Sequence, residues 1–305
     1  MEKNGINALV LSNTLRMEQV QAIKTEGVTI TTQEAEEYCA FKKQKKTAEI
    51  LSAMRKTTAL SKGLMDVTGL CERALRLQMA SVKTLPTVFL GYRDAFLRNG
   101  VRADCIVGGT GETFAKVKAC ETKCAVRLGA REISLVLTPS LIANCRYAEL
   151  KKEVKKVKRA TKKCVLKACV LGEYPRATLL RLGRLVSELG VQYFSIPYFP
   201  GCETFKTELG DGCLLEVTGV KTLEDFKRLT VAGVGRIVLS NAWELYVEWM
   251  REVENITLDT TNVVKAQTSN KETSAMAQKL QNFPRLAEVS SATEKKMGQA
   301  GTSRV

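Results

Sequence analysis

Seven short apolar or β-branched runs recur between Met79 and Asn241, at 80–85, 103–107, 132–137, 165–171, 191–196, 213–217 and 236–240. Each is opened by a glycine or basic turn and followed by an amphipathic stretch. Runs of this length alternating with helical segments read as repeated βα units around a parallel sheet. One more strand upstream closes them into a single (β/α)8 barrel of the α/β class. Such a barrel carries its chemistry at the carboxyl ends of the strands, so the last residues of each run are where a site is sought.

A chain of 305 residues holds one barrel of about 250 residues with extensions more readily than two independent domains. Residues 1–57 read as a helical N-terminal extension, 58–254 as the barrel and 255–305 as a mostly disordered tail. In the extension, Thr31 and Glu34 have capping-box spacing. Tyr38, Phe41, Ala48, Leu51 and Met54 then form an apolar stripe interrupted by Lys42, Lys43, Lys45 and Lys46. The tail is rich in polar residues and has one aromatic, Phe283; its only sustained apolar period is a short helix over 276–286. A segment of that composition buries too little apolar surface to offset its ordering entropy.

No histidine occurs in the chain. This excludes Ser-His and Cys-His nucleophilic mechanisms and removes the commonest metal ligand, leaving carboxylates, lysines, tyrosines and thiols for any chemistry. The ten cysteines are scattered through strands and helices without zinc-site spacing, and read as small buried hydrophobes rather than a disulfide framework. No metal or cofactor is implied. No apolar run is long enough for a membrane helix or a signal-peptide core, so the expected location is cytoplasmic, with no membrane partner.

The formal charge of +15 favours anionic partners. Its densest run spans 151–163, where Tyr147, Leu150, Val154 and Val157 recur at helical spacing and lysines fill the other face. This reads first as the solvated face of a barrel helix. Nucleic-acid binding through it is the weaker alternative, since no stacking aromatics are interleaved. The glycine-rich turn 107–111 lacks the lysine of a P-loop and the spacing of a dinucleotide fingerprint, and reads as a barrel loop.

Several groups of residues agree in register with one known family. They are Asp66, Thr68, Gly69, Glu72 and Ala74 followed by Ala80, Ser81, Val82 and Pro86; Lys118, Glu121, Ala125, Gly129, Ala130, Glu132 and Ile133; Gly190, Tyr193 and Phe194; and Thr218, Gly219, Asp225, Ala232, Gly233, Arg236, Ile237 and Ser240. Over these residues the chain resembles the deoxyribose-phosphate aldolase family of class I aldolases, which are TIM barrels. The resemblance implies an aldehyde lyase working through a Schiff base. One lysine on the sixth strand condenses with the carbonyl, a second on the seventh lowers its pKa, and an aspartate on the fourth assists proton transfer. At the matching positions this chain has Ser195, Leu215 and Ser134, and a serine forms no imine.

Two readings follow. In the first, the chain is a degenerate member that binds a phosphorylated small molecule or a protein partner, the partner being another protein or further copies in a homo-oligomer. In the second, the imine-forming lysine has moved to Lys83 on the second strand or Lys167 on the fifth, each beside the other so that one lowers the other's pKa. Phosphate would lie at Gly219, Ser240 and Asn241, where the family holds it, although Thr218 and Val238 replace family glycines. Gly219 and Ser240 fit plain turn and cap roles equally well. Tyr198, Glu203 and Lys206 are expected to line the pocket mouth, with Tyr198 and Glu203 as the acid/base groups if chemistry survives.

Overall fold

All seven runs form strands, and the eighth precedes them. In the computed structural model, which describes residues 32–61 and 66–256, β1 (Thr57–Leu60), β2 (Ser81–Thr84), β3 (Ala103–Val107), β4 (Glu132–Val136), β5 (Val165–Cys169), β6 (Tyr193–Pro197), β7 (Leu214–Thr218) and β8 (Arg236–Leu239) pair in chain order. All pairings are parallel, and β8 returns to β1 to close the barrel. Parallel strands of this kind are buried on both sides, which is why their runs read as mostly apolar rather than as an alternation.

The helices are α1 (Thr32–Met54), α2 (Val67–Arg76), α3 (Pro86–Gly91), α4 (Arg93–Arg98), α5 (Ala115–Leu128), α6 (Pro139–Ala143), α7 (Tyr147–Thr161), α8 (Arg176–Glu188), α9 (Phe205–Leu209), α10 (Leu223–Val231) and α11 (Ala242–Glu254). The barrel lies in a compact unit of residues 42–256; a second unit comprises 1–41 and 257–305. Of that second unit only 32–41, the start of α1, is described, so Thr31 of the capping box and the 276–286 helix lie outside the described residues. Within the barrel unit, α1 buries Ile50, Ala53 and Met54. Ala48, expected on the apolar stripe, is exposed instead.

Strand side chains alternate between the barrel interior and the helical layer. Outward go Val82, Cys105, Ile133, Leu135, Leu166, Phe194, Ile196, Leu215, Val217, Ile237 and Leu239, all buried. Helix α7 answers with Leu150, Val154 and Val157, as its period predicts, and α10 packs on α11 through a perpendicular Phe226–Trp249 pair at 5.7 Å. All ten cysteines are free; Cys71, Cys105, Cys169, Cys202 and Cys213 are buried as expected, whereas Cys120, Cys124 and Cys145 are exposed. Among the described residues no helix is long and apolar enough to cross a membrane.

Candidate active site at the barrel core

The interior of such a barrel is ordinarily packed with bulky branched side chains. Here its middle is ionic. Lys83 from β2, Asp104 from β3, Glu132 from β4, Lys167 from β5, Glu216 from β7 and Arg236 from β8 all turn inward, each less than a tenth exposed. Lys167 Nζ lies 2.7 Å from Glu132, 2.7 Å from Glu216 and 2.8 Å from Asp104. Lys83 pairs with Glu216 and stands 3.6 Å from Asp104. Arg236 reaches Glu132 at 3.4 Å. Three cations therefore face three carboxylates, and the network is neutral as a whole.

Three hydroxyls add to these contacts. Ser134 Oγ donates to Asp104 at 2.8 Å, Ser195 Oγ to Glu216 at 2.9 Å and Ser81 Oγ to Glu132 at 3.1 Å. Ser134 and Ser195 thus stand inward, as the register of the resemblance requires. Leu215 does not. The inward residue of β7 is its neighbour Glu216, and a one-residue difference in a strand exchanges faces completely. A carboxylate therefore occupies the barrel interior on this strand, and Leu215 packs in the apolar layer beneath the helices.

Lys83 and Lys167 are brought together as the relocated-lysine reading supposes, sharing Asp104 and Glu216. Their electrostatics run the other way from that reading. Burial pushes each ammonium down, but Glu216 and Asp104 outweigh it at Lys83, and Asp104, Glu216 and Glu132 outweigh it at Lys167; both are held above the ordinary lysine pKa. Burial likewise opposes ionisation of Glu216, and Lys167 and Lys83 overcome it, keeping the carboxyl well below its usual range. The Lys167 side chain has no exposed surface and that of Lys83 is 6% exposed.

The buried lysine with a depressed pKa is a different one, Lys118 on α5. Burial lowers it despite Glu153 at 2.9 Å, and its other partners are Val136 O and Thr138 Oγ1, both at 2.8 Å. It lies in the helical layer, where it ties α5 to β4 and α7.

At the carboxyl end of the barrel, Gly219 and Ser240 are both exposed. Gly219 takes a left-handed turn with φ 82° after β7, and Asn241 precedes the first turn of α11. Asn241 Nδ2 donates to Lys221 O at 3.0 Å, tying the two loops, while its Oδ1 is buried without a partner. Val238 faces inward above Arg236 and is fully covered.

Of the residues expected at the mouth, Tyr198 and Glu203 gather beside α10 and Lys206 turns away. Tyr198 donates to Asp225 of α10 at 2.7 Å and also meets Arg228, which stands 3.7 Å from Glu203. Lys206 donates to Ala232 O at 3.2 Å, capping the carboxyl end of α10 at the opposite end of the barrel from the mouth. Free helix-end carbonyls attract a lysine in this way. Among the described residues no set of three or more Cys, Asp or Glu side chains is arranged to hold a metal ion.

No family model matches the chain. It is 26% identical over 197 residues to the deoxyribose-phosphate aldolase of Metamycoplasma hominis, covering 61% of this chain and 90% of that enzyme. The chain is a relative of the deoxyribose-phosphate aldolases. Its fold matches that of a putative deoxyribose-phosphate aldolase from Coccidioides immitis with a TM-score of 0.60 at 20% identity, over 70% of this chain and 96% of that one. The deoxyribose phosphate aldolase from Aeropyrum pernix, described as a unique tetrameric structure, matches with a TM-score of 0.59 at 18% identity, over 68% and 95% of the two chains. Against this aldolase background, the residues that sequence reasoning missed are Asp104, Glu132, Glu216 and Arg236. Their signal was present: six strand runs each carry a charge at the position that turns inward, three of either sign.

Proposed function

We propose that this aldolase-like barrel is catalytically degenerate and acts in the cytoplasm by recognition, binding a phosphorylated small molecule or a protein partner and assembling with further copies of itself. One observation carries the reading: Lys83 and Lys167, the only inward amines of the barrel among the described residues, are sealed between carboxylates. Imine formation needs a neutral amine that reaches a carbonyl carbon. At pH 7 an ordinary lysine is deprotonated in roughly one molecule in a few thousand, and these two are held higher still and away from solvent. The exposed Gly219 and Ser240, with Asn241 before α11, support a phosphate site, since backbone N–H groups at a helix start attract anions. The tetrameric relative supports self-assembly.

The test is a paired measurement with 2-deoxyribose 5-phosphate, by calorimetry for binding and by a coupled assay for aldehyde release. The expected outcome is no turnover above that of a mock preparation, with any binding weakened by Gly219→Val. Turnover that disappears in Lys167→Met overturns the reading.

The second reading, an active carbon–carbon lyase using Lys83 or Lys167, draws support from the inward convergence of the two amines and from the slight exposure of Lys83. It requires Glu216 to release Lys83 when a substrate enters. Nucleic-acid binding rests on the lysines of α7 alone, and predicts steep salt dependence of DNA or RNA retention.

A further inference from the structure

The geometry points to the groove between α7 and α8 as a docking site for an acidic amphipathic helix of a partner protein. This groove, of about 650 Å³, lies outside the barrel and plays no part in the site above. Its floor is apolar, formed by Ala148 of α7 with Ala177, Leu180 and Leu185 of α8. The two alanines are exposed, and their small side chains leave the space that larger residues would fill.

The walls hold three cations and one carboxylate, Glu188. Arg181 and Arg184, one turn apart on α8, line the groove with Lys151 of α7. The Arg181 guanidinium lies 4.1 Å from the Tyr147 ring centre, a stacked position that fixes its direction. Neither arginine forms an ion pair among the described residues. Lys151 has only Glu188 at 3.8 Å, with both side chains well exposed, an arrangement that holds weakly in water.

Charge and shape together select the occupant. Unpaired cations beside an apolar floor are complemented by a helix with leucine-like residues at i, i+3, i+4 and i+7 flanked by glutamates or aspartates. A second copy docked through this same groove would set Arg181, Arg184 and Lys151 against their own counterparts. Single-stranded nucleic acid needs an open aromatic face, and the Tyr147 ring in this groove is already covered by Arg181. The inference rests on the recognition reading above, whose protein-partner branch it makes specific.

The experiment uses the full chain and a fluorescein-labelled peptide of about 18 residues, five helical turns, with leucines on one face and glutamates elsewhere. A peptide of the same composition with dispersed leucines and an oligothymidylate of similar length serve as competitors. Saturable binding of the amphipathic peptide is expected. Arg181→Glu with Arg184→Glu should weaken it at least about tenfold, as should Ala177→Trp, which fills the floor without changing charge. The control pair Lys116→Glu and Lys123→Glu, exposed on α5, makes the same charge change elsewhere and should alter binding less than about twofold. Circular dichroism checks that each variant is folded. Absence of saturable binding overturns the proposal, as does equal binding of the dispersed peptide or oligothymidylate, or an equal loss in the α5 pair. None of these variants touches Lys83 or Lys167, so failure here leaves the reading of the barrel interior to its own test.

Discussion

Glu216 is the residue on which the interior depends most, because it receives both Lys83 and Lys167 and the Ser195 hydroxyl. Removing one member of a buried ion group leaves the opposite charges uncompensated, at a cost of about 3–5 kcal/mol. Glu216→Ala should therefore lower the denaturant midpoint sharply, whereas loss of an exposed pair such as Lys46–Glu49 should change stability by less than about 1 kcal/mol. Equilibrium unfolding of the two variants checks this contrast. Lys83 and Lys167 were legible in the sequence, because the resemblance placed them on the second and fifth strands. Asp104, Glu132, Glu216 and Arg236 were passed over as site residues, although Glu132 and Arg236 help carry the resemblance. A strand buried on both faces shows no polar alternation, so the sequence pattern does not say which face looks into the barrel. The Leu215 assignment failed for the same reason, by one residue.

At the scale of elements, the order and spacing of all seven strand runs were readable, as was the apolar stripe of α7, since periodicity is a local property. What was not readable is which loop side chains stay at the mouth. Lys206 is drawn to the α10 carboxyl end, a partner brought near only by folding. The loop between β3 and α5 offers a direct test of close packing. Gly111 adopts φ 94°, and a Cβ there would stand 2.7 Å from Leu137 O and 2.6 Å from Pro139 Cδ. Backbone strain of this kind costs about 1–3 kcal/mol. Gly111→Ala should destabilise by that amount or more, while Gly91→Ala, where nothing lies within 4 Å, should be neutral or mildly stabilising. Thermal melts of the two variants distinguish them.

For the molecule as a whole, the interior network ties stability to pH. Glu216 titrates below its usual range when folded, so its contribution is complete above the unfolded carboxylate value of about 4.3. It is lost as pH falls through that value toward the folded one. Lys83 and Lys167 are held high, so their contribution is complete below about 10.4 and lost as pH rises beyond it. Lys118, held low by burial, works in the opposite sense on the basic side, which makes the acid limb the cleaner one. The melting temperature should stay level from neutral pH down to about 5 and then fall, with a shallower acid limb in Glu216→Gln. A limb unchanged by that substitution would show that acid unfolding is governed elsewhere.

The account turns on two amines that stay charged and closed off inside an aldolase-like barrel. Its most direct test is borohydride reduction of the intact protein with acetaldehyde and with 2-deoxyribose 5-phosphate at neutral pH, followed by peptide mapping. Surface lysines will be modified to some extent, but the peptides carrying Lys83 and Lys167 should remain unmodified at those positions. An adduct on either lysine, formed at low aldehyde concentration and ahead of the surface lysines, would contradict it.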